Sequence, residues 1–119
     1  MGWGIDSGLL WGGIYLLFSE QANAKIHLSV SIVVIITALI LKLNTIEFCL
    51  ILFCIVMVIA AEAFNSALEY LADRVEPNKD PLIEKSKDLA AAAVLICSIG
   101  AAVVGLIIFL PKIQEFVLQ

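Results

Sequence analysis

Four side chains that can bind a metal ion or accept a proton recur along one apolar segment of this chain. In the stretch AEAFNSALEYLADR they are Glu62, Asn65, Glu69 and Asp73. At about 100° of rotation per residue, their spacing places all four within an arc of about 80° on one helix. The segment therefore predicts a helix that carries three carboxylates and an amide on one face.

This polar face begins deep in an apolar run and ends where the run ends. Glu62 follows fourteen consecutive apolar residues, and no Lys or Arg precedes Arg74 in the segment. A solvated helix end explains Asp73, and helix packing can explain an Asn. Neither explains Glu62 or Glu69 well, because ionisable groups at membrane depth cost several kcal/mol and indicate a functional site.

Carboxylates in this arrangement suit two kinds of chemistry. Mg²⁺ is a hard ion that binds carboxylate oxygens and usually arrives with phosphate. A carboxylate can also act as a general base on a hydroxyl. After a polar segment, Lys87 and Asp88 begin the next apolar stretch, where a lysine beside an acid can serve phosphate and metal together. An anchor to the cytoplasmic surface explains Lys85 better, and for Lys87 both interpretations stay open.

The apolar composition of the chain indicates what kind of secondary structure must position these residues. The chain has 119 residues, of which 62% are hydrophobic and 15% charged, with a net charge of −4 and a mean hydropathy of +1.07. Soluble domains are about half apolar and a quarter charged, so this composition indicates an integral membrane protein. The negative charge excludes a basic surface that would bind nucleic acid. Cys49, Cys54 and Cys97 lie in apolar runs, which indicates buried thiols rather than a disulfide or zinc site.

Three apolar stretches approach or exceed the length needed to cross a bilayer as helices, about 20 residues. We predict transmembrane helices at 26–42, 47–72 and 89–110. The segment at 5–21 is broken by glycines, and we predict an interfacial helix there, with Trp11 and Tyr15 at headgroup depth and Trp3 as a further anchor. The prediction is an all-α membrane protein with one membrane-embedded domain over residues 1–119.

The segments between the predicted spans are short or polar. Residues 43–45 predict a tight turn, and residues 73–88 form the main polar loop, with Pro77 and Pro81 ending one helix and shaping the connection. The side with the N-terminus and the polar loop holds Lys25, Arg74, Lys79, Lys85 and Lys87, and the opposite side holds Lys42 and Lys112. The excess of positive charge predicts that the N-terminus and the polar loop are cytoplasmic.

The pattern as a whole resembles the small bacterial integral-membrane lipid kinases of the diacylglycerol kinase and undecaprenol kinase family. The resemblance covers about residues 11–110, and its motifs are E-x-x-N-S-A-x-E-x-x-x-D-[RK] at residues 62–74 and K-D at residues 87–88. Such kinases are described as homotrimers with three transmembrane helices and an N-terminal surface helix per chain. They use Mg-ATP to phosphorylate a lipid hydroxyl at the membrane surface, and this chain, like them, has no P-loop motif. The resemblance implies ATP, Mg²⁺ and a lipid alcohol as partners, with no nucleic acid, in the bacterial cytoplasmic membrane.

The resemblance also implies a role for each matching residue. Glu62 matches the general base beside the lipid hydroxyl, and Asn65 matches the amide that orders the site. Glu69 matches the carboxylate that binds magnesium and the nucleotide. The positions that match residues near the nucleotide phosphates are Asp73, Lys87 and Asp88.

The sequence departs from the family pattern just before the first predicted span. The family shows a Glu, then a small cluster, then an Arg. Aligning Lys25 with that Arg puts Gln21 where the second metal-binding Glu is expected, and Glu20 stands one residue earlier. Either Glu20 takes the metal role, or Gln21 offers a neutral oxygen near the nucleotide. His27 is interpreted as an interfacial polar residue rather than a metal ligand.

Two other functions stay open on the residues alone. A small oligomeric ion- or proton-translocating subunit would use Glu62 within the membrane, but it would leave Lys87 and Asp88 unexplained. A catalytically inactive relative would explain Gln21. The choice between diacylglycerol and undecaprenol also stays open, because both present a primary hydroxyl on a long apolar body.

Overall fold

The computed structural model describes residues 7–119, which form four helices. They are α1 (Ser7–Glu20), α2 (Ala22–Ile40), α3 (Thr45–Val75) and α4 (Pro81–Val117). The predicted all-α architecture is confirmed, and α2, α3 and α4 are long and apolar enough to cross a membrane. The predicted anchor Trp3 and the first two residues of the segment at 5–21 lie outside the described residues.

Helices α3 and α4 form an antiparallel hairpin with the most extensive helix packing in the described part of the chain. At one end, Lys112 Nζ lies 3.6 Å from Glu47 Oε1. At the other end, Lys87 Nζ donates a hydrogen bond to Asp73 Oδ1. With 31 and 37 residues, each helix is longer than the hydrocarbon core of about 30 Å, at about 1.5 Å of rise per residue. The hairpin therefore extends past the core and can present polar side chains to water.

The connection between α3 and α4 is shorter than the sequence indicates. The predicted loop at 73–88 shrinks to residues 76–80, because both helices continue into it. Asp80 caps α4, since its carboxylate accepts two backbone N–H groups of the first turn at 2.9 and 3.2 Å. Pro81 occupies that first turn, where its missing N–H has no helical partner to lose. Pro81 therefore begins a helix instead of shaping a loop, and Lys87 lies on that helix.

The other helix ends are also set by local signals. Helix α2 ends at Ile40, and Lys42 has a φ of 56° in the turn that follows. Asn44 begins α3 through a reciprocal pair of hydrogen bonds with Glu47. Helix α4 continues through Pro111 to Val117. Because a helix need not end where the bilayer ends, the span limits at 26–42, 47–72 and 89–110 stay predictions.

A single residue separates α1 from α2. Gln21 has extended dihedral angles (φ −98°, ψ 110°) and interrupts the helical path. Helix α1 packs against α2, and its Trp11 and Tyr15 side chains are exposed. The break at Gln21 therefore allows α1 to run in a different direction from α2.

One copy of the chain buries little of its apolar surface. The buried apolar side chains in the described part are Ala24, Ala38, Ile51, Val58, Ala72 and Ile108. Large apolar side chains are exposed on every helix, far beyond what a soluble monomer leaves open. The chain is a multi-pass membrane protein, in which lipid or other protein covers such surface.

Candidate active site

The polar face of α3 changes from buried to exposed along the helix. Glu62 is 3% exposed, Asn65 is half-buried, and Glu69 and Asp73 are exposed. Ser66, one turn after Glu62, is also buried on the packed side of the helix. The site therefore has one carboxylate shielded from water at its inner end and two that meet water at its outer end.

Helix α4 supplies a cation to the outer end of this face. Lys87 Nζ donates its hydrogen bond to Asp73 Oδ1, and Glu69 adds a further electrostatic attraction to the same ammonium group. Asp88 is exposed at the next position of α4. The structure thus brings together residues of the two motifs that the sequence separates by a polar segment. A lysine between carboxylates can contact a phosphate while the acids contact its counter-ion.

Tyr70 ties the end of α1 to the outer end of α3. Its phenol O–H donates to Glu20 Oε2 at 2.9 Å, and its oxygen accepts a hydrogen bond from Gln21 Nε2 at 2.8 Å. Glu69, the neighbour of Tyr70 in the chain, also acts electrostatically on the phenol. Both candidates for the second metal-binding position therefore lie beside the helical turn that carries Glu69. The sequence interpretation missed Tyr70, although its position directly after Glu69 was a usable signal.

Tyr70 acts as a hydrogen-bond donor to Glu20 and as an acceptor from Gln21. A phenol has one proton to donate, and it goes to the carboxylate of Glu20. Gln21 takes part only as a donor through its amide nitrogen in this contact. The geometry therefore orients the carboxyl group of Glu20, whereas Gln21 donates to the phenol that holds it.

His27 on α2 lies beside the buried carboxylate of α3. Its Nε2 is 3.9 Å from Glu62 Oε2, with side-chain exposures of 27% for the histidine and 4% for the glutamate. The interpretation of His27 as only an interfacial residue missed this contact. A signal was present, because small side chains pack closely three and four residues away from it, at Ala24 and Ser31. Such spacing marks the face of α2 that meets its neighbours.

Two further polar atoms of this region are buried without a hydrogen-bond partner in the described part of the chain. They are Asn65 Oδ1 and Ser66 Oγ. An unsatisfied buried polar atom costs about 1–3 kcal/mol. Native proteins retain such atoms where water, a ligand or another chain supplies the missing bond. The environment of Asn65 therefore fits a site that is completed by something bound there.

Two apolar clefts adjoin the polar face of α3. One has a volume of about 310 Å³, lies between α2, α3 and α4, and includes His27 and Ser31 in its lining. The other has a volume of about 430 Å³, lies between α1 and α3, and includes Gln21, Ser66 and Tyr70. Both linings are mainly apolar, with few polar groups. Such clefts suit an apolar ligand with one polar end.

The acidic residues fit a metal that arrives with a nucleotide better than a metal held by protein alone. Within residues 7–119, no three His, Cys, Asp or Glu side chains gather closely enough to form a metal cage. Two carboxylates of this region are Glu69 and Glu20, and Glu20 accepts a hydrogen bond from Tyr70, the neighbour of Glu69 in the chain. Mg²⁺ typically uses one or two carboxylates and takes its other ligands from water and phosphate oxygens. The pair therefore suits Mg²⁺ bound together with phosphates.

Comparison with known proteins identifies the class of membrane protein to which this site belongs. The family model described as prokaryotic diacylglycerol kinase matches residues 9–109. The undecaprenol kinase of Bacillus subtilis (strain 168) is 31% identical over 101 residues, which cover 85% of this chain and 82% of the relative. The diacylglycerol kinase of Synechocystis sp. is 34% identical over 104 residues, which cover 87% of this chain and 59% of that protein. The chain belongs to the prokaryotic diacylglycerol kinase family and is a lipid kinase.

Family membership confirms the resemblance inferred from residues 62–74 and 87–88. All the candidate site residues, from Glu20 to Asp88, fall within the matched region. A kinase family implies ATP as the second substrate. It also favours an enzyme over the ion-translocating subunit, which left Lys87 and Asp88 without a role.

Proposed function

We propose that this lipid kinase uses Mg-ATP to phosphorylate the hydroxyl of a membrane lipid alcohol, either diacylglycerol or undecaprenol. The observation that carries the proposal is the gradient along α3, from a carboxylate shielded at Glu62 to a water-facing group of acids with Lys87. A lipid hydroxyl approaches from the bilayer, whereas ATP approaches from water. One face of α3 has a base shielded from water at its inner end and a phosphate site open to water at its outer end, so the same face can serve both substrates.

The proposed roles follow from where each side chain lies. Glu62 accepts the proton of the lipid hydroxyl, and Asn65 orients the reacting groups beside it. Lys87 neutralises phosphate charge, with Asp73 fixing its ammonium group and Asp88 close by on the same helix. Phosphoryl transfer depends on positioning and charge neutralisation more than on covalent catalysis. The proposed residues can provide both.

Magnesium has a defined place in this proposal. Glu69 would hold the ion together with Glu20, which Tyr70 orients. When bound, Mg²⁺ supplies positive charge to the phosphate oxygens of the nucleotide. The protein's own contribution is to fix two carboxylates beside Lys87, which attracts the same phosphates.

The lipid body is proposed to lie in an apolar cleft beside α3. The cleft between α1 and α3 is open, apolar and adjacent to Ser66, which shares the packed side of α3 with Glu62. An alkyl or isoprenyl chain placed there would exchange contacts with lipid tails for contacts with apolar side chains, which gives little net hydrophobic gain. Binding of this kind reads the apolar body only weakly, so both lipid classes remain candidate substrates.

The proposed location is the bacterial cytoplasmic membrane, with the N-terminus, α1 and the α3–α4 connection on the cytoplasmic side. Five Lys and Arg residues against two support this orientation. Helix α1 is proposed to lie at the membrane surface, supported by the exposure of Trp11 and Tyr15.

A homotrimer is proposed as the working assembly. Helix α4 carries small residues at spacing four, including Ala101 and Gly105, which is typical of a close helix contact. Both residues line the cleft of about 310 Å³ between α2, α3 and α4, so one copy leaves that face unfilled. Cross-linking of the purified protein in a mild detergent is expected to give a ladder that ends at three copies. A product that ends at one or two copies would contradict the trimer.

Phosphate transfer to lipid tests the proposed function directly. Membranes that contain the protein are incubated with radiolabelled ATP, Mg²⁺ and either diacylglycerol or undecaprenol. Label is expected in an organic-soluble product with at least one lipid, and the ratio of kcat/KM for the two lipids names the substrate. Absence of labelled lipid with both substrates, from protein that is folded and inserted, would overturn the proposal.

Separate charge changes at positions 20 and 21 test which residue binds the metal. Because Tyr70 orients the Glu20 side chain, Glu20→Gln is expected to raise the Mg²⁺ concentration for half-maximal activity by about tenfold, since an amide replaces the carboxylate. Gln21→Glu is expected to change it much less. The measurement is a Mg²⁺ titration of lipid phosphorylation with both variants. If Gln21→Glu lowers the Mg²⁺ requirement while Glu20→Gln leaves it unchanged, position 21 is the metal position and Glu20 is not.

A further inference from the structure

The buried position of Glu62 creates a requirement that the proposed roles do not meet. If Glu62 accepts a proton from the lipid hydroxyl, it must lose that proton before the next turnover. Its side chain is only 4% exposed, so water has little direct access to the carboxylate. Another group must therefore carry the proton from the carboxylate to water.

We propose that His27 relays this proton from Glu62 to the solvent. Its Nε2 lies 3.9 Å from Glu62 Oε2, and its imidazole is 27% exposed. Histidine is the side chain best suited to accept and release protons near neutral pH. A small side-chain rotation closes the gap to hydrogen-bond distance, and such contacts are often long before substrate binds. The inference deepens the proposed function and rests on Glu62 as its general base.

The relay closes the proton balance of one turnover. The O–H bond of the lipid breaks as its oxygen forms a bond to the terminal phosphorus of ATP, and the bond from that phosphorus to ADP breaks. The proton passes to the Glu62 carboxylate. The new O–H bond of Glu62 then breaks as an N–H bond forms at His27 Nε2. The imidazolium releases one proton to water, which restores both side chains and accounts for the one proton set free per lipid phosphorylated.

The position of His27 near the start of α2 gives the imidazole its route to water, because Asn23, one turn earlier on the same side of the helix, is exposed. Towards the middle of the span, His27 contributes to the lining of the apolar cleft between α2, α3 and α4, which has a volume of about 310 Å³. Ser31 Oγ, which lines the same cleft, donates a hydrogen bond to the backbone oxygen of His27 at 2.6 Å. The next turn of α2 thus bonds to the backbone at His27, which lies between the buried carboxylate and the exposed start of the helix.

Replacement of His27 separates a relay from simple packing. His27→Gln keeps a polar side chain of similar reach but cannot carry a proton. We expect its kcat to fall by about tenfold to 10²-fold, less than the 10²–10⁴-fold contribution of a general base itself, with the KM values for lipid and ATP nearly unchanged. His27→Ala should lose a similar factor, and added imidazole should restore much of its kcat. Ser29→Ala, an exposed change on the same helix, serves as the control and should leave kcat unchanged.

Each outcome either supports or overturns the relay. Full activity of His27→Gln, or no response of His27→Ala to imidazole, would overturn it. If Glu62→Gln is inactive while both His27 variants work normally, the relay fails and the proposed base stands. If Glu62→Gln is active, the proposed base itself fails and the relay falls with it.

The contact between His27 and Glu62 can be checked without any variant of His27. The chain contains a single histidine, so nitrogen NMR of imidazole-labelled protein reports on His27 alone. Glu62→Gln is expected to shift the Nε2 resonance, because it removes the charge that faces that nitrogen. An Nε2 resonance that does not move would show that the two groups do not interact and would overturn the relay, even if His27 variants proved unstable.

Discussion

Glu62→Gln is expected to reduce kcat for lipid phosphorylation by about 10²–10⁴-fold, the usual contribution of a general base. The substitution keeps the size of the side chain and removes its ability to accept the proton. Because Glu62 is buried away from the outer end of α3, where Lys87 bonds Asp73, nucleotide affinity should persist. The measurements are single-turnover phosphorylation of lipid and equilibrium binding of Mg-ATP.

The control for this change is Glu115→Gln, which removes the same charge at an exposed position near the other end of α4. It should leave kcat and nucleotide binding unchanged. Near-normal turnover by Glu62→Gln would show that Glu62 is not the general base. Loss of Mg-ATP binding together with turnover would instead place Glu62 in the nucleotide site.

Loss of the Glu69 carboxylate is expected to produce the second large effect, on Mg²⁺ rather than on the chemical step. Two unit charges 4 Å apart in water interact by about 1 kcal/mol, so a divalent ion loses about twice that when one carboxylate is removed. Since about 1.4 kcal/mol is a factor of ten, Glu69→Ala should raise the Mg²⁺ concentration for half-maximal activity by about 10- to 100-fold. Saturating Mg²⁺ should recover part of the turnover, and the measurement is a Mg²⁺ titration at fixed ATP.

Two comparisons make the Glu69 result specific. Glu69→Gln keeps an oxygen donor without the charge, so its Mg²⁺ requirement should lie between those of the native protein and Glu69→Ala. Glu115→Gln should match the native curve. An unchanged half-saturation for Glu69→Ala would place the metal elsewhere on the protein.

The sequence by itself determined the class of architecture and the acidic face. Backbone groups in lipid must be hydrogen-bonded, and apolar runs of this length achieve that within a helix. Helical periodicity then places Glu62, Asn65, Glu69 and Asp73 on one side of α3, whatever its surroundings. The fourteen apolar residues before Glu62 predict its depth in the membrane, whereas its burial against other helices is seen only in the structure.

Local signals were less decisive at the helix ends. Pro77 and Pro81 both indicated a loop, but Pro81 follows the capping residue Asp80 and begins α4. Proline is compatible with a first helical turn and with a turn outside a helix, so the residue alone does not choose. The choice depends on whether the preceding side chain accepts the free N–H groups, as Asp80 does.

Only the tertiary structure decided which side chains from other helices meet this face. Lys87 reaches Asp73 because α3 and α4 form an antiparallel hairpin, Tyr70 holds Glu20 because the chain breaks at Gln21, and these contacts join residues 14 and 50 positions apart. His27 reaches Glu62 because α2 packs against α3 on its side with small residues. Periodicity fixes the face of a single helix, but contacts between helices depend on how whole elements cross and rotate against each other. That arrangement is set by packing over all of their surfaces, and no local spacing encodes it.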